Sequence, residues 1–536
     1  MVAKTWVSTL LIIVFFLITT LWYFWPVVTH FDSYLPDNYD GLFITWSINR
    51  IAQNFPVWPG KLMEGNIFYP NPYTHAYSDL FITSGLLAKP LLVLWPESLV
   101  GYNWTLLVGH FLLLVFTFLF LDSLAENKCI AGVLALVFGY SQIHLHYLPH
   151  LQLFTIFLLP LSGWCLIKFA KNKKNWWLYG WFLSLSFQLI NSILPGYFIV
   201  ASFLVLYIYL PELRLQVKKS WKALVLGSSF TLLIAGPFLW IYFQVSKYFN
   251  YSRPLTEVIH FSLSPEQLLT KFFSPVLFGL FVVAMGVVIF TKKKPPYLVW
   301  IWASLGSLIL ALGPALHWQE QTVKIPFHIP LPYLLLYFIV PGFQSMRTPS
   351  RWVLLAGFFI TVVLALFLQH VFAKKKTSLT IVLLSIIICA WMVMPRFDHY
   401  YQIPKTKQYP AVYSWLKNQP GQVVMELPMT AWGGSDQNKQ EVYRMLYSLN
   451  HKKQLVNGYS GFFPPDYVTL VNVLQAEFPS QKTLKLIKDY QVDYLIVHQD
   501  EFRRMGESDI ENKIEKTIAL QADEKFENDL VYILRK

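Results

Sequence analysis

The strongest constraint on this chain is a recurrence of apolar runs of membrane-spanning length. Eleven of them, at 5–26, 99–121, 129–147, 151–170, 176–194, 196–212, 222–243, 272–291, 296–315, 352–372 and 378–395, fall within the roughly 17–25 residues a helix needs to cross a bilayer. Composition agrees: 55% of residues are hydrophobic, 14% are charged, and mean hydropathy is +0.43. A chain with so little polar surface cannot cover a globule in water. That excludes a cytosolic enzyme, a secreted disulfide scaffold and a disordered regulator. The first run, after Lys4, is too long for a signal-peptide core and lacks a small-residue cleavage site, so it predicts a retained anchor. Pro149 and Pro195-Gly196 punctuate two tight hairpins between runs.

Charge then orients the chain. The net charge is +13, yet residues 396–536 carry 18 basic and 18 acidic residues, so the whole excess lies among the apolar runs. This distribution follows membrane topology and gives no nucleic-acid-binding face. Every alternate loop is basic: Lys128; Lys171, Lys173 and Lys174; Arg214, Lys218, Lys219 and Lys222; Lys292, Lys293 and Lys294; Lys374, Lys375 and Lys376. The positive-inside rule predicts a multi-pass plasma-membrane protein with a cytoplasmic N-terminus and an odd number of spans. Residues 27–98, 244–271, 316–351 and everything after 395 then lie outside. The shorter, Pro-bounded stretches 80–95 and 331–341 read as interfacial or re-entrant. Cys129, Cys165 and Cys389 lie in or beside apolar runs, without metal-ligand or CxxC spacing, and read as packing residues.

Residues 396–536 have ordinary soluble composition. Apolar strands at 422–427, 493–498 and 530–534 alternate with helical patterns at 409–418, 443–450, 466–476 and 481–490. The expected fold is therefore mainly α: a polytopic transmembrane helix bundle of about 11 spans over residues 1–395, with a first outer loop at 27–98. An extracytoplasmic α/β domain with a partly parallel sheet follows at 396–536. No internal repeat or Gly-rich phosphate loop is present.

Candidate chemistry concentrates in the first outer loop. Asp37 and Asp40 sit at the mouth of the first span, and Gly41 opens an amphipathic helix to about Asn54, whose Leu42, Trp46, Ile48 and Ile51 suit the headgroup layer. An acid there, near low dielectric, could take a proton from a hydroxyl; alternatively, both are turn and N-cap residues. Asp79 closes the loop after Tyr73, His75 and Tyr77. Together Asp40 and Asp79 could hold a divalent cation such as Mg²⁺ or Mn²⁺, or Asp79 could simply cap the next apolar stretch. His144, His146 and His150 suit a polar rim for a sugar or phosphate better than a zinc site, because i and i+2 on a helix do not share a face. Arg347 and Arg351, four apart at the outer mouth of the tenth span, would face one phosphate if helical, or anchor the interface beside Trp352. The spans are nearly free of acids and show no Asp/Glu/His relay, which weakens proton-coupled transport.

These features resemble the polytopic type C glycosyltransferases, in particular a prokaryotic branch of membrane proteins. The resemblance rests on Asp40 to Trp46, on Asn66-Ile67-Phe68-Tyr69-Pro70-Asn71-Pro72 ending in Ser78-Asp79, on His144–His150, and on Arg347, Pro349, Arg351 and Trp352. It implies sugar transfer from a polyprenyl-phosphate donor to an extracytoplasmic glycan, lipid or protein acceptor. By the same resemblance Asp40 is the general base, with Asp37 or Asp79 assisting. Arg347 and Arg351 steady the lipid phosphate, and His144, His146, His150 and Trp46 contact substrate. A tight D-x-D pair is missing, since Asp37 and Asp40 are one residue too far apart. The alternatives are a lipid or polysaccharide transporter or flippase, and a non-enzymatic assembly factor. Aromatic content, 17%, does not discriminate, because membrane belts and sugar-stacking platforms use the same residues.

Overall fold

The computed structural model describes residues 2–57, 59–272, 275–290, 297–319, 321–325, 327–373, 376–392, 394, 399–518 and 520–534. The basic residues Lys292, Lys293, Lys294, Lys374 and Lys375 of two expected cytoplasmic loops lie outside them, as does Arg396. The chain divides into two compact units. The first comprises Met1–Trp25, Leu106–Gly236 and Tyr251–Asp398; the second comprises Pro26–Thr105, Pro237–Asn250 and His399–Lys536.

Each of the eleven expected spans is helical, but their lengths differ. Among the described residues, six helices are long and apolar enough to cross a membrane: Trp6–Tyr23, Ser98–Ala125, Lys128–Leu145, Leu151–Asn172, Trp221–Phe249 and Pro349–Phe372. A seventh candidate, Ile193–Tyr209, bends by 108° into Pro211–Lys219, where Pro211 takes the first helical turn that its missing N–H tolerates. Ile82–Leu94, Leu277–Val288, Leu298–Ala311 and Thr377–Cys389 are apolar but shorter.

In the first unit, burial separates core from periphery. The span ending at Phe372 is 94% buried, whereas Trp6–Tyr23 is 11% buried. Both are apolar on every side, so the first is the hub of the bundle and the second presents its side chains to lipid. The hub helix Trp352–Phe372 packs on Leu298–Ala311 and on Lys128–Gly139. The Lys128–Gly139 helix starts where the Asn127 side chain accepts the Cys129 and Ile130 N–H groups at 3.1 and 3.2 Å. Gly109 is required by packing: a Cβ there would come within 2.5 Å of Thr155.

The second unit is built on a five-stranded sheet. Its order is Glu524–Phe526, Asp529–Ile533, Tyr494–His498, Val423–Leu427, Gln454–Leu455. Val423–Leu427 runs parallel to both its neighbours, and the other pairs are antiparallel. Every residue of the two central strands is buried, as expected where helices cover both faces. The first outer loop packs into this unit with the tail. Tyr34-Leu35 pairs antiparallel with Tyr401-Gln402, and Asp32 pairs with Lys405 at 2.7 Å. Farther along, Asn66 O accepts from Leu455 N (2.8 Å), Tyr69 N donates to Leu455 O (2.9 Å) and Phe68 N donates to Asn457 O (3.0 Å). The N-x-F-Y-P segment thus extends the sheet beyond its Gln454–Leu455 edge, satisfying backbone groups an open edge would leave unpaired.

Candidate functional site

The acidic candidates lie in the second unit. Asn103 anchors the approach, its side-chain N–H groups reaching Phe31 O at 2.8 Å and Tyr34 O at 2.9 Å. The chain then turns at Asp37, whose Oδ2 accepts from Tyr39 N (3.0 Å) and Gly41 N (2.7 Å). This carboxylate satisfies an orphan donor at the start of the helix Asp40–Asn54, which has no other side-chain cap. Asp40 opens that helix, half-buried, and the buried Tyr102 interacts electrostatically with both acids. Asp37 and Asp40 are therefore brought together, with Asp37 set to hold the turn that presents Asp40. Asp79 follows a turn in which Tyr77 Oη donates to Pro72 O at 2.8 Å and Tyr242 Oη donates to Ser78 O. Asp79 interacts electrostatically with Tyr242.

The headgroup-layer placement of the Asp40–Asn54 helix is overturned. Leu42, Trp46, Ile48 and Ile51 are all buried, because the helix packs on Ile82–Leu94 and on Ser435–His451. Trp46 Nε1 donates to Asn66 Oδ1 at 3.0 Å, and Asn66 Nδ2 donates to Ser448 Oγ and Lys453 O at 2.9 and 2.8 Å. His75 lies 5.0 Å from the Trp46 ring; burial, then the nearby Arg50, holds its pKa down to about 3. Trp46 and His75 are thus a neutral packed pair. Among the described residues, no group of three or more His, Cys, Asp or Glu could hold a metal ion. Asp40 and Asp79 alone do not make a cation cage.

The basic candidates lie in the first unit. The three histidines diverge. His144 is fully buried, 4.5 Å from the Phe154 ring and 5.8 Å from His110, so its expected place on a polar rim is corrected to one in the core. His146 is exposed against Phe272 (4.6 Å), and His150 precedes the turn Leu151–Phe154. His110 itself is buried within a span and stacked on Phe154 at 5.2 Å; its signal in the sequence is a lone polar residue in an apolar run. Arg347 and Arg351 do not share a helix face. Arg347 sits in extended chain with its guanidinium 4.6 Å from the Phe261 ring, while Arg351 ends a 3-10 turn, Pro349–Arg351. Trp352 is buried against Phe198 at 5.2 Å and is no interfacial anchor.

A further basic residue joins Arg347. Arg253 is buried, ion-paired to Glu257 at 3.3 Å, and fixed by Arg253 N to Gln344 O (2.8 Å) and Tyr337 Oη to Arg253 O (2.8 Å). Burial lowers its pKa, Glu257 opposes this, and Arg347 lowers it further. Two guanidiniums near a single carboxylate make a locally basic spot suited to an anion. Arg253, like Arg347, stands in a loop the charge pattern places outside, and that was its signal in the sequence.

Neither protein-family models nor curated proteins match this sequence. Solved structures do. The chain is similar to the oligosaccharyltransferase of Archaeoglobus fulgidus in its apo form, at 11% identity and a TM-score of 0.51, over 91% of this chain and 69% of that one. The chain thus shares the overall fold of that oligosaccharyltransferase. ArnT from Cupriavidus metallidurans is also similar, bound to undecaprenyl phosphate (TM-score 0.48) and in the apo state (0.40), each at 12% identity over 99% of this chain and 98% of that one. On this fold the candidate acids all come from the first loop, and the candidate cations come from loops near the ends of later helices.

Proposed function

We propose that the protein is an integral-membrane glycosyltransferase that moves a sugar from a polyprenyl-phosphate donor to an extracytoplasmic glycan, lipid or protein acceptor. The observation that carries this reading is the Asp37–Asp40 arrangement at the helix start, found on a fold shared with an oligosaccharyltransferase. Asp40 takes the proton of the acceptor hydroxyl. The acceptor oxygen bonds to the anomeric carbon as that carbon's bond to phosphate oxygen breaks, and the electron pair leaves with the lipid phosphate. Charge developing on that phosphate needs cations, and Arg347, Arg351 and Arg253 of the first unit are the candidates for binding a lipid phosphate. Asp37 positions the turn, and Asp79 stands as the second acid of the loop. His146 and His150 remain candidate substrate contacts, while the buried His144 and Trp46 serve the cores of their own units.

The test uses purified protein in nanodiscs with radiolabelled polyprenyl-phosphate sugars and envelope acceptors. Asp40→Asn should cut label transfer on the order of 10²–10⁴-fold, the usual contribution of a general base, with thermal stability unchanged. Transfer at wild-type rate in Asp40→Asn would remove the base assignment. Absence of both donor binding and transfer in the wild type would replace the transferase by a lipid translocator.

A further inference from the structure

Within the second unit a line of aromatic rings leads outward from the Asp37–Asp40 turn. Tyr39 lies 5.1 Å from Tyr459, Tyr459 lies 6.0 Å from Phe463, and Phe463 lies 4.7 Å from Trp432. Successive planes are tilted by 51°, 73° and 63°. Phe463 is buried and Tyr39 and Tyr459 are half-buried, but Trp432 ends the line 57% exposed.

That exposure is built into the loop. Trp432 has φ +57°, a left-handed conformation that costs a non-glycine residue about 1 kcal/mol or more. The chain is pinned on both sides of it. Before it, Tyr467 Oη donates to Thr430 O (2.9 Å) and Thr430 N donates to Glu441 (3.2 Å); after it, Asn438 Nδ2 donates to Gly433 O (2.8 Å). Gly433 permits this closeness, since a Cβ there would come within 2.2 Å of Thr430 Oγ1. A held loop that keeps a large indole in the open, at an energetic cost, is characteristic of a ligand contact.

We propose that Trp432, backed by Phe463 and continued by Tyr459 and Tyr39, is a platform that binds a glycan and leads it toward Asp40. The indole face takes the C–H face of a sugar ring, which leaves the hydroxyl rim free for polar groups. Asp466, at hydrogen-bond distance from Asn71 Nδ2 (2.9 Å) and one residue from Tyr467, supplies such a group. A line of rings suits an extended chain of sugars, whereas a quaternary ammonium would call for rings closed around one point. This inference rests on the transferase reading only for its direction: it makes the acceptor a carbohydrate, ahead of a lipid or a protein.

The experiment titrates full-length protein in nanodiscs with a panel of neutral oligosaccharides of four to six hexose or N-acetylhexosamine units, following tryptophan fluorescence. Wild type should bind at least one member, and Trp432→Ala should bind it at least 10-fold more weakly. Trp432→Ala binding as well as wild type, or no member binding wild type, overturns the proposal. So does quenching by brominated lipids that disappears in Trp432→Ala, since it would place the indole among lipid chains. Binding that depends on Trp432 in a protein without transferase activity sustains the platform and removes the transferase reading alone.

Discussion

At the level of single residues, the first loop divides its labour between two carboxylates. Asp37 accepts two backbone N–H groups and so does structural work that an amide oxygen could also do. Asp37→Asn should therefore leave the melting temperature within experimental scatter, while Asp37→Ala should cost about 1 kcal/mol, the usual loss of a helix cap. If Asp37→Asn instead abolished transfer at unchanged stability, Asp37 would be the base. The turn role of Asp37 was legible in the sequence, because Asp just ahead of a helix start accepts backbone N–H groups that would otherwise be unpaired. The fate of Trp46 and His144 was not. A period of apolar residues says that a face is buried but not by what, and the partners of Trp46 lie far along the chain at Asn66 and beyond.

At the level of elements, strands Val423–Leu427, Tyr494–His498 and Asp529–Ile533 are locked by a buried polar cluster. His498 Nε2 meets Glu426 at 3.0 Å and Nδ1 meets Asp529 at 2.8 Å; Tyr413 Oη donates to Glu426 at 2.7 Å, and Arg444 reaches Glu441 and Glu501, both at 2.8 Å. Burial works to lower the His498 pKa, but the hydrogen bonds to Asp529 and Glu426 outweigh it and raise it to about 9. A pKa above the unfolded value means the imidazolium stabilises the fold fully below about pH 6.5. That contribution is lost as pH rises through about 9. The unfolding midpoint of the full-length protein in detergent should fall between these values, and His498→Gln should be less stable at pH 6 with a flatter profile. An equally steep fall in the variant would assign it to other groups. The two central strands were readable because each is a short, mostly apolar run, broken only by Glu426 in the first and closed by His498 in the second. Gln454–Leu455 and Glu524–Phe526 were not, being two and three residues long with no pattern of their own. Nor could spacing reveal that Asn66–Tyr69 joins the sheet, because pairing across nearly the whole chain leaves no local trace.

At the level of the molecule, the lysine pattern makes a prediction of sidedness. The segments that pack into the second unit, at 26–105, 237–250 and 399–536, include the first outer loop, the start of the 244–271 loop and the tail, all of which the lysine pattern assigns to one face. We expect that face to be extracytoplasmic. In right-side-out vesicles a membrane-impermeant maleimide should label Lys485→Cys in an otherwise Cys-free chain. With native Cys129 as the sole cysteine, labelling should require inside-out vesicles. The opposite pattern would invert the topology and put Asp40 in the cytoplasm.

The sheet extension also sets a clock. Asn66 waits for Ser448, 382 residues later, before its side chain can be satisfied. At ~5–20 residues per second, synthesis separates the two by roughly 20–80 s. For that interval the newborn loop holds backbone groups at Asn66, Phe68 and Tyr69 without the partners at Leu455 and Asn457 that they later meet. Its most vulnerable moment precedes the end of translation, and any factor that shields it must be present while the chain is still being made.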